Sequence, residues 1–375
     1  PLLSTSDQQV GLARLEQNHD NLRAALAWAV DHDPEGALRL SAALADFWLT
    51  RGHLSQGRQW IERALASADA RAHGGADPNR SAGASPPATA VRAKALHGAG
   101  KIAHVQEDSI RAEELFAQGL TLARALGDSH RTALLLNDMA EQALQRGEAA
   151  QAAALCAEGL AFARAADDRA AVAHLLLGLG DVVWAQGEVG YAATCYHESL
   201  AIGRALDDRP RIAWALLRLG QLALARGEMQ RAADAFAEGL TLAREVGDQE
   251  SAAWLLYFTG RLLLQQHDLA AAAARFAESA QLLHVLGADI GVAVNLVGLA
   301  DVKFHEQELT QAAQLLGAAE PQHWPAWAAP ERAEYEQSVA AIRAHLDQAT
   351  FAAAWAEGKK MTLEQALAEA HSLAS

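Results

Sequence analysis

Along most of the chain, apolar positions recur at intervals of three and four, the spacing of one face of an α-helix, and short polar breaks interrupt them. The clearest stretch, IAWALLRLGQLALA, predicts a helix from Ile212 to Ala225. Arg226-Gly227-Glu228 then breaks it, glycine being free to take a positive φ. A second helix follows from about Met229 to Val246. Gly247-Asp248 closes that helix, the glycine as its C-terminal cap and the aspartate as an N-cap for the next. The two form a pair, helix A and helix B.

The pair repeats. EELFAQGLTLARALGD, AALCAEGLAFARAADD, ATCYHESLAIGRALDD, ADAFAEGLTLAREVGD and AARFAESAQLLHVLGA begin at Glu113, Ala153, Ala193, Ala233 and Ala273, a period of 40 without insertion. The breaks RGE, QGE and RGE at Arg146, Gln186 and Arg226 keep the same spacing, as do small residues at Gly100, Ala140, Gly180, Gly220, Gly260 and Ala300. Three markers in one register predict a repeat array. An earlier unit with altered spacing runs from Glu35 to Ala68, with Ala45, Trp48, Gly52 and Ile61 in the same roles, which makes seven units. The expected fold is all-α, a right-handed α-solenoid of about seven helix pairs with helical caps.

Three segments follow from the pattern. Residues 1–33 lead into the array and hold one predicted amphipathic helix over 10–33, with Leu12, Leu15, His19, Leu22, Leu26 and Val30 on a shared face. Residues 34–320 form the solenoid, and its stretch 69–90, rich in glycine, proline, serine and alanine, reads as a mobile loop. Residues 321–375 form a C-terminal cap. There PQHWPAWAAP stops the pattern, and three helices follow, the last capped by Thr362 with Gln365 three residues on.

Composition narrows the functional classes. Acidic residues number 46 and basic residues 31, a formal charge of -15, so direct contact with nucleic acid is disfavoured. Cys156 and Cys195 belong to no CxxC motif, which fits a reducing, cytoplasmic setting and buried thiols acting as small hydrophobes. No apolar run is long enough to span a bilayer, and the N-terminus lacks the layout of a signal peptide. A start at Pro1 suggests an excised or processed chain.

Chemistry is sparse. HGAGKIAH, from His97 to His104, offers Gly100-Lys101 but has Ile102 where a phosphate loop needs a hydroxyl, and it lies in a predicted helix A. His97 and His104 could share a helix face, with no acidic neighbour beside them in the sequence, so a metal pair is disfavoured. Asp167-Asp168 and Asp207-Asp208 recur at repeat turns, where capping explains them. No cofactor and no enzymatic activity are expected.

The unit resembles the tetratricopeptide repeat. That family places a small residue where helix A crosses helix B, an alanine twelve residues later and a large apolar residue four beyond. Gly220, Ala232 and Phe236 fit, as do Gly100, Ala112 and Phe116, then Gly180, Ala192 and Tyr196, then Gly260, Ala272 and Phe276. The usual repeat has about 34 residues, so each helix here gains almost one turn. The resemblance implies a ligand site on the concave face lined by helix A. Carried over residue by residue, its register gives Asn137, Asp138, Glu141, Asp181, Trp184, Trp214, Arg218, Gln221, Trp254, Tyr257, Arg261 and Asp301 as candidate binding residues. Lys94, His97, Lys101 and His104 are the lining positions of an earlier unit. These positions vary between units while packing positions repeat. Trp184, Trp214, Trp254 and Tyr257 cluster among Asp181, Arg218, Gln221 and Arg261, a set suited to a peptide, a sugar or another flat polar ligand. The alternative is that the longer helices bury these tryptophans in the core.

The ends carry a second resemblance. LEQNHDNLRAALAWAV followed by ALRLSAALADFWLTRGHLSQGRQWIERAL is similar to the segment after the nucleotide-binding portion of bacterial STAND-class signal-transduction ATPases, including large LuxR-type regulators. The stretch from QLLGAAE to MTLEQALAEA is similar to the end of their repeat domain. This implies a sensing arm that binds a peptide, protein or small-molecule signal and acts on an upstream nucleotide-binding domain. A stand-alone protein-docking scaffold is the alternative.

Overall fold

The computed structural model describes residues 8–74, 85–320, 329–362, 364–366 and 368. Its elements are eighteen α-helices, and no strand occurs among the described residues. Two helices lead in, α1 (Gln8–Gln17) and α2 (His19–His32). Seven pairs follow: α3 (Pro34–Arg51) with α4 (Leu54–Gly74), α5 (Pro86–Val105) with α6 (Ser109–Leu126), α7 (Ser129–Gln145) with α8 (Ala149–Ala165), and α9 (Arg169–Ala185) with α10 (Val189–Leu206). The last three are α11 (Arg209–Ala225) with α12 (Met229–Val246), α13 (Gln249–Gln265) with α14 (Leu269–Leu286), and α15 (Asp289–His305) with α16 (Leu309–Ala319). Odd-numbered members are helix A and even-numbered ones helix B. Two more helices, α17 (Ala329–Arg343) and α18 (Gln348–Gly358), complete the set. The predicted all-helical repeat of TPR-like pairs is therefore the observed fold.

The turns show why the sequence folds in this register. Asp128, Asp168, Asp208 and Asp248 each accept a hydrogen bond from the backbone N–H three residues on, at 3.0–3.2 Å. Each such N-cap stabilises its helix by about 1 kcal/mol. One residue earlier the chain takes a left-handed turn, at Gly127 with φ 66° and Gly247 with φ 71°. Asp167 and Asp207 occupy the same position with φ 53° and 51°, aspartate being one of the few residues that tolerates it. The paired carboxylates are thus turn-formers.

The chain divides into two compact units. The first comprises Pro1–Leu144, Glu148–Ile212 and Glu245–Gly247; the second Gln145–Gly147, Ala213–Arg244 and Asp248–Ser375. The same packing device recurs within each. In the first, a Cβ added to Gly100 would lie 2.5 Å from the Phe116 ring, and one on Gly180 would lie 2.3 Å from Tyr196. In the second, Gly220 meets Phe236 at 2.3 Å and Gly260 meets Phe276 at 2.8 Å. The aromatic side chain of helix B therefore lies directly on the bare backbone of helix A, and its ring is fully buried. Cys156 and Cys195 are buried free thiols, and burial pushes Cys156 up to about 12, so neither is a ready nucleophile.

Two local features depart from the sequence reading. The leading segment is two helices, because the chain breaks at Asn18, whose side-chain amide turns back to donate to the Arg14 carbonyl at 2.8 Å. The stretch 69–90 is partly helical: α4 runs on to Gly74, and α5 starts at Pro86, where a missing N–H costs nothing. The remainder of that predicted loop lies outside the described residues, as does 321–328 of the predicted stop. Near the C-terminus, Thr362 and Gln365 form the expected reciprocal capping box, at 2.9 and 3.1 Å. Gly317 and Gly358 let α16 and α18 cross with backbones in near contact. No helix among the described residues is long and apolar enough to cross a membrane.

Candidate functional site

In the first unit, helices α3, α5 and α7 line a pocket of about 250 Å³, formed by Ala45, Asp46, Lys94, His97, Gly98, Lys101, His130, Arg131 and Leu134. Its floor exists because Gly98 lets α5 approach α3; a Cβ there would strike Ala45 at 2.5 Å. Three permanent cations, Lys94, Lys101 and Arg131, face one lining carboxylate, Asp46, in a chain of net charge -15. Burial weighs against the charge of Arg131, and Asp128 and Asp46 offset it in part.

Behind the pocket runs a directed hydrogen-bond chain. Arg131 Nη1 donates to His97 Nδ1 at 3.3 Å, and an arginine can only donate. His97 therefore accepts at Nδ1 and carries its proton on Nε2, which donates to Asp138 Oδ2 at 2.7 Å. His174 Nε2 lies 3.7 Å from the other carboxylate oxygen. Burial alone would raise the Asp138 carboxyl, but the two imidazoles outweigh it and hold Asp138 well below the usual carboxylate range. Burial lowers both histidines, and the Arg211 charge helps push His174 down to about 4. The set is one buried carboxylate held by two neutral imidazoles. Next to it His104 donates to Glu141 at 3.1 Å and accepts from Gln142 at 2.5 Å.

The sequence-predicted residues divide between the two units. In the first, Asn137 and Asp138 are buried, and Gly178 leaves room for the Asn137 amide. Glu141 is tied to His104, and Asp181 accepts from the Tyr196 hydroxyl at 2.6 Å, with Trp184 edge-on to that ring. The acidic partners of His97 and His104 come from the following helix A, so these histidines are paired, where the sequence showed no acidic neighbour.

In the second unit, Trp214 and Trp254 are half-buried at the margin of a core around Leu217, Phe236 and Leu255. Arg218 lies over the Trp214 ring, 5.7 Å from its centre, and bonds Gln221 at 3.1 Å. Tyr257 is buried and edge-on to Trp254. Arg261 bonds the Tyr257 hydroxyl at 3.0 Å and Glu334 of α17 at 2.7 Å. Asp301 accepts from Ser338 of α17 at 2.7 Å. Helix α17 thus lies on the helix A face of α13 and α15, and Arg261 and Asp301 are engaged by the chain's own C-terminal segment. The pocket residues His130 and Arg131 have no place among the register positions carried over from the repeat, because they sit in the first turn of α7. Lys94, His97 and Lys101 were legible as lining positions.

Residues 171–245 match the family model described as Tetratricopeptide repeat. A segment of 129 residues, 33% of the chain, is 35% identical to proteins of Mycobacterium bovis and Mycobacterium tuberculosis described as "Putative HTH-type transcriptional regulator", of whose length the match covers 13%. Among solved structures, a Rap protein complexed with competence and sporulation factor is similar over 90% of this chain and 99% of its own, with a TM-score of 0.52 and 10% identity. A STAND protein with a tetratricopeptide repeat sensor from Pyrococcus horikoshii is similar over 89% of this chain and 55% of its own, with a TM-score of 0.50 and 13% identity. At these identities the structural likenesses speak to the fold alone.

Proposed function

We propose that this chain is the signal-binding arm of a transcription-regulating ATPase of the STAND class, and that its signal is a small anion carrying a carboxylate or phosphate. The observation that carries the reading is the pocket of the first unit. Lys94 and Lys101 line it with no ion pair among the described residues, beside the guanidinium of Arg131. Asp46 balances only part of that charge, so the site keeps a surplus of positive charge, and a fork plus two ammonium groups suits an oxyanion. A volume of about 250 Å³ lies just under the range of about 300–1,000 Å³ for drug-sized ligands, which favours a compact molecule. The chain's role is binding rather than catalysis. The relation to HTH-type regulators supports a place in transcriptional control. Ligand binding would bias the arm between two arrangements of a parent protein only through a difference in affinity between them.

The complete reading frame is the test of the parent. It should encode a nucleotide-binding domain on the N-terminal side of this segment; its absence would overturn the arm reading. A stand-alone docking scaffold is then the reading favoured by half-buried Trp214 and Trp254 on the helix A face of the second unit. That reading predicts a macromolecular partner lost on Trp214→Ala and Trp254→Ala.

A further inference from the structure

The lead-in helices meet the first pair through three metal-ligating side chains. Glu16 closes α1, His19 opens α2, and His53 sits in the turn between α3 and α4. One ligand atom from each lies within 4.8 Å of the others. His53 Nε2 is 3.0 and 3.3 Å from the two Glu16 oxygens. The His19 ring lies 4.4 Å from the His53 ring, and the buried Phe47 packs against both, at 5.9 and 5.6 Å.

One atom here is out of balance. His19 Nε2 is shielded from solvent and has no hydrogen-bond partner. A buried polar atom left unpaired costs about 1–3 kcal/mol and calls for an explanation, a bound ion being one. A proton does not resolve the cluster: it would give His19 a donor without giving that donor an acceptor. A divalent cation placed among the three would take the lone pairs of both imidazoles and the carboxylate at once.

We propose that Glu16, His19 and His53 bind a first-row divalent metal of the zinc class. Two imidazoles and one carboxylate suit zinc, with a fourth position left for water, whereas magnesium and calcium call for oxygen donors throughout. Bonds of about 2.0–2.2 Å put tetrahedral ligand atoms about 3.4 Å apart, so the cluster closes on a metal with side-chain shifts of roughly an ångström. Glu16 and His19 lie three residues apart, the spacing that puts two side chains on one side of a helix, and both reach His53. The bound metal would fasten α1 and α2 to the first helix pair. This site is independent of the anion pocket.

The test uses the full chain, stripped with chelator and titrated with Zn²⁺ by calorimetry and with Co²⁺ by visible absorption. One saturable equivalent should bind, Zn²⁺ should raise the unfolding temperature, and Co²⁺ should give the d–d bands of a low-coordinate site. Glu16→Gln and His53→Gln should each weaken binding at least about tenfold, the scale that even outer-shell changes reach. His19→Phe should do the same while keeping the ring packed on Phe47. Circular dichroism checks that each variant folds, and the two exposed-side variants suffice if His19→Phe does not. Absence of one tight equivalent, or unchanged affinity in Glu16→Gln and His53→Gln, would place any metal on other histidines and overturn the proposal.

Discussion

His97 and Asp138 stand one helix A apart, and the imidazole donates to the carboxylate at 2.7 Å with both groups buried. The bond crosses from α5 to α7 directly beneath the cationic pocket, so it fixes the wall that presents Arg131. Removing the carboxylate leaves two buried imidazoles without their acceptor. Asp138→Ala should therefore lower stability by about 2–3 kcal/mol, the cost of losing a hydrogen bond to a buried charge. Urea unfolding of the variant checks this, and a loss under about 0.5 kcal/mol would deny the pair its structural role.

The same cluster sets a pH dependence. His97 and His174 are lowered in the fold, so they stay neutral while the unfolded chain takes up protons below the ordinary histidine value of about 6.5. The unfolded state then binds more protons, and stability falls as pH falls. The contribution of His174 is fully present above about 6.5 and is lost progressively down to about 4, on the order of 3 kcal/mol. Unfolding midpoints between pH 7 and pH 4 should drop steeply, and His174→Gln should flatten the curve.

Glycines in these helices divide by what a side chain would meet. Gly180→Ala drives a methyl group into the Tyr196 ring and should cost about 1–3 kcal/mol. Gly190, in the first turn of α10, has nothing within 4 Å, and Gly190→Ala should stabilise by about 0.5–1 kcal/mol. Thermal unfolding of the two variants should move in opposite directions.

Helix α17 is held to the helix A face of the second unit through Arg261–Glu334 and Asp301–Ser338. Both contacts are partly exposed, so Glu334→Ala with Ser338→Ala should cost only about 1 kcal/mol. The local effect should be larger than the global one. Limited proteolysis should cut within 329–343 faster in the double variant, at an almost unchanged unfolding midpoint; equal cleavage rates would show that α17 is held elsewhere.

How far the sequence reached follows from what each residue does. Gly100, Gly180, Gly220 and Gly260, each sixteen residues before an aromatic, were legible because every unit must solve the same crossing. The caps at Asp168 and Asp208 were legible for the same reason. The His97–Asp138 bond was not, since its partners are 41 residues apart and each alone looks like an ordinary helix residue. A search for opposite polar groups about one period apart would have found it, along with His104–Glu141 and His130–Asp168 at 37 and 38. Arg131 escaped because the lining register starts one turn further into helix A. Glu16 and His19 share a helix side at their spacing, but nothing local joins them to His53, which comes from the turn between α3 and α4. The engagement of Arg261 and Asp301 by α17 had no local signal, because it depends on where a distant helix returns.

The claim that the first unit holds an anion site is tested most directly by calorimetric titration of citrate and of inorganic phosphate into the full chain and into Lys94→Ala/Lys101→Ala. Wild type should bind one equivalent of at least one of them with an affinity that weakens as salt rises, and the double variant should bind neither while unfolding at the same temperature. Binding of neither anion by wild type, or equal binding by both proteins, would contradict it.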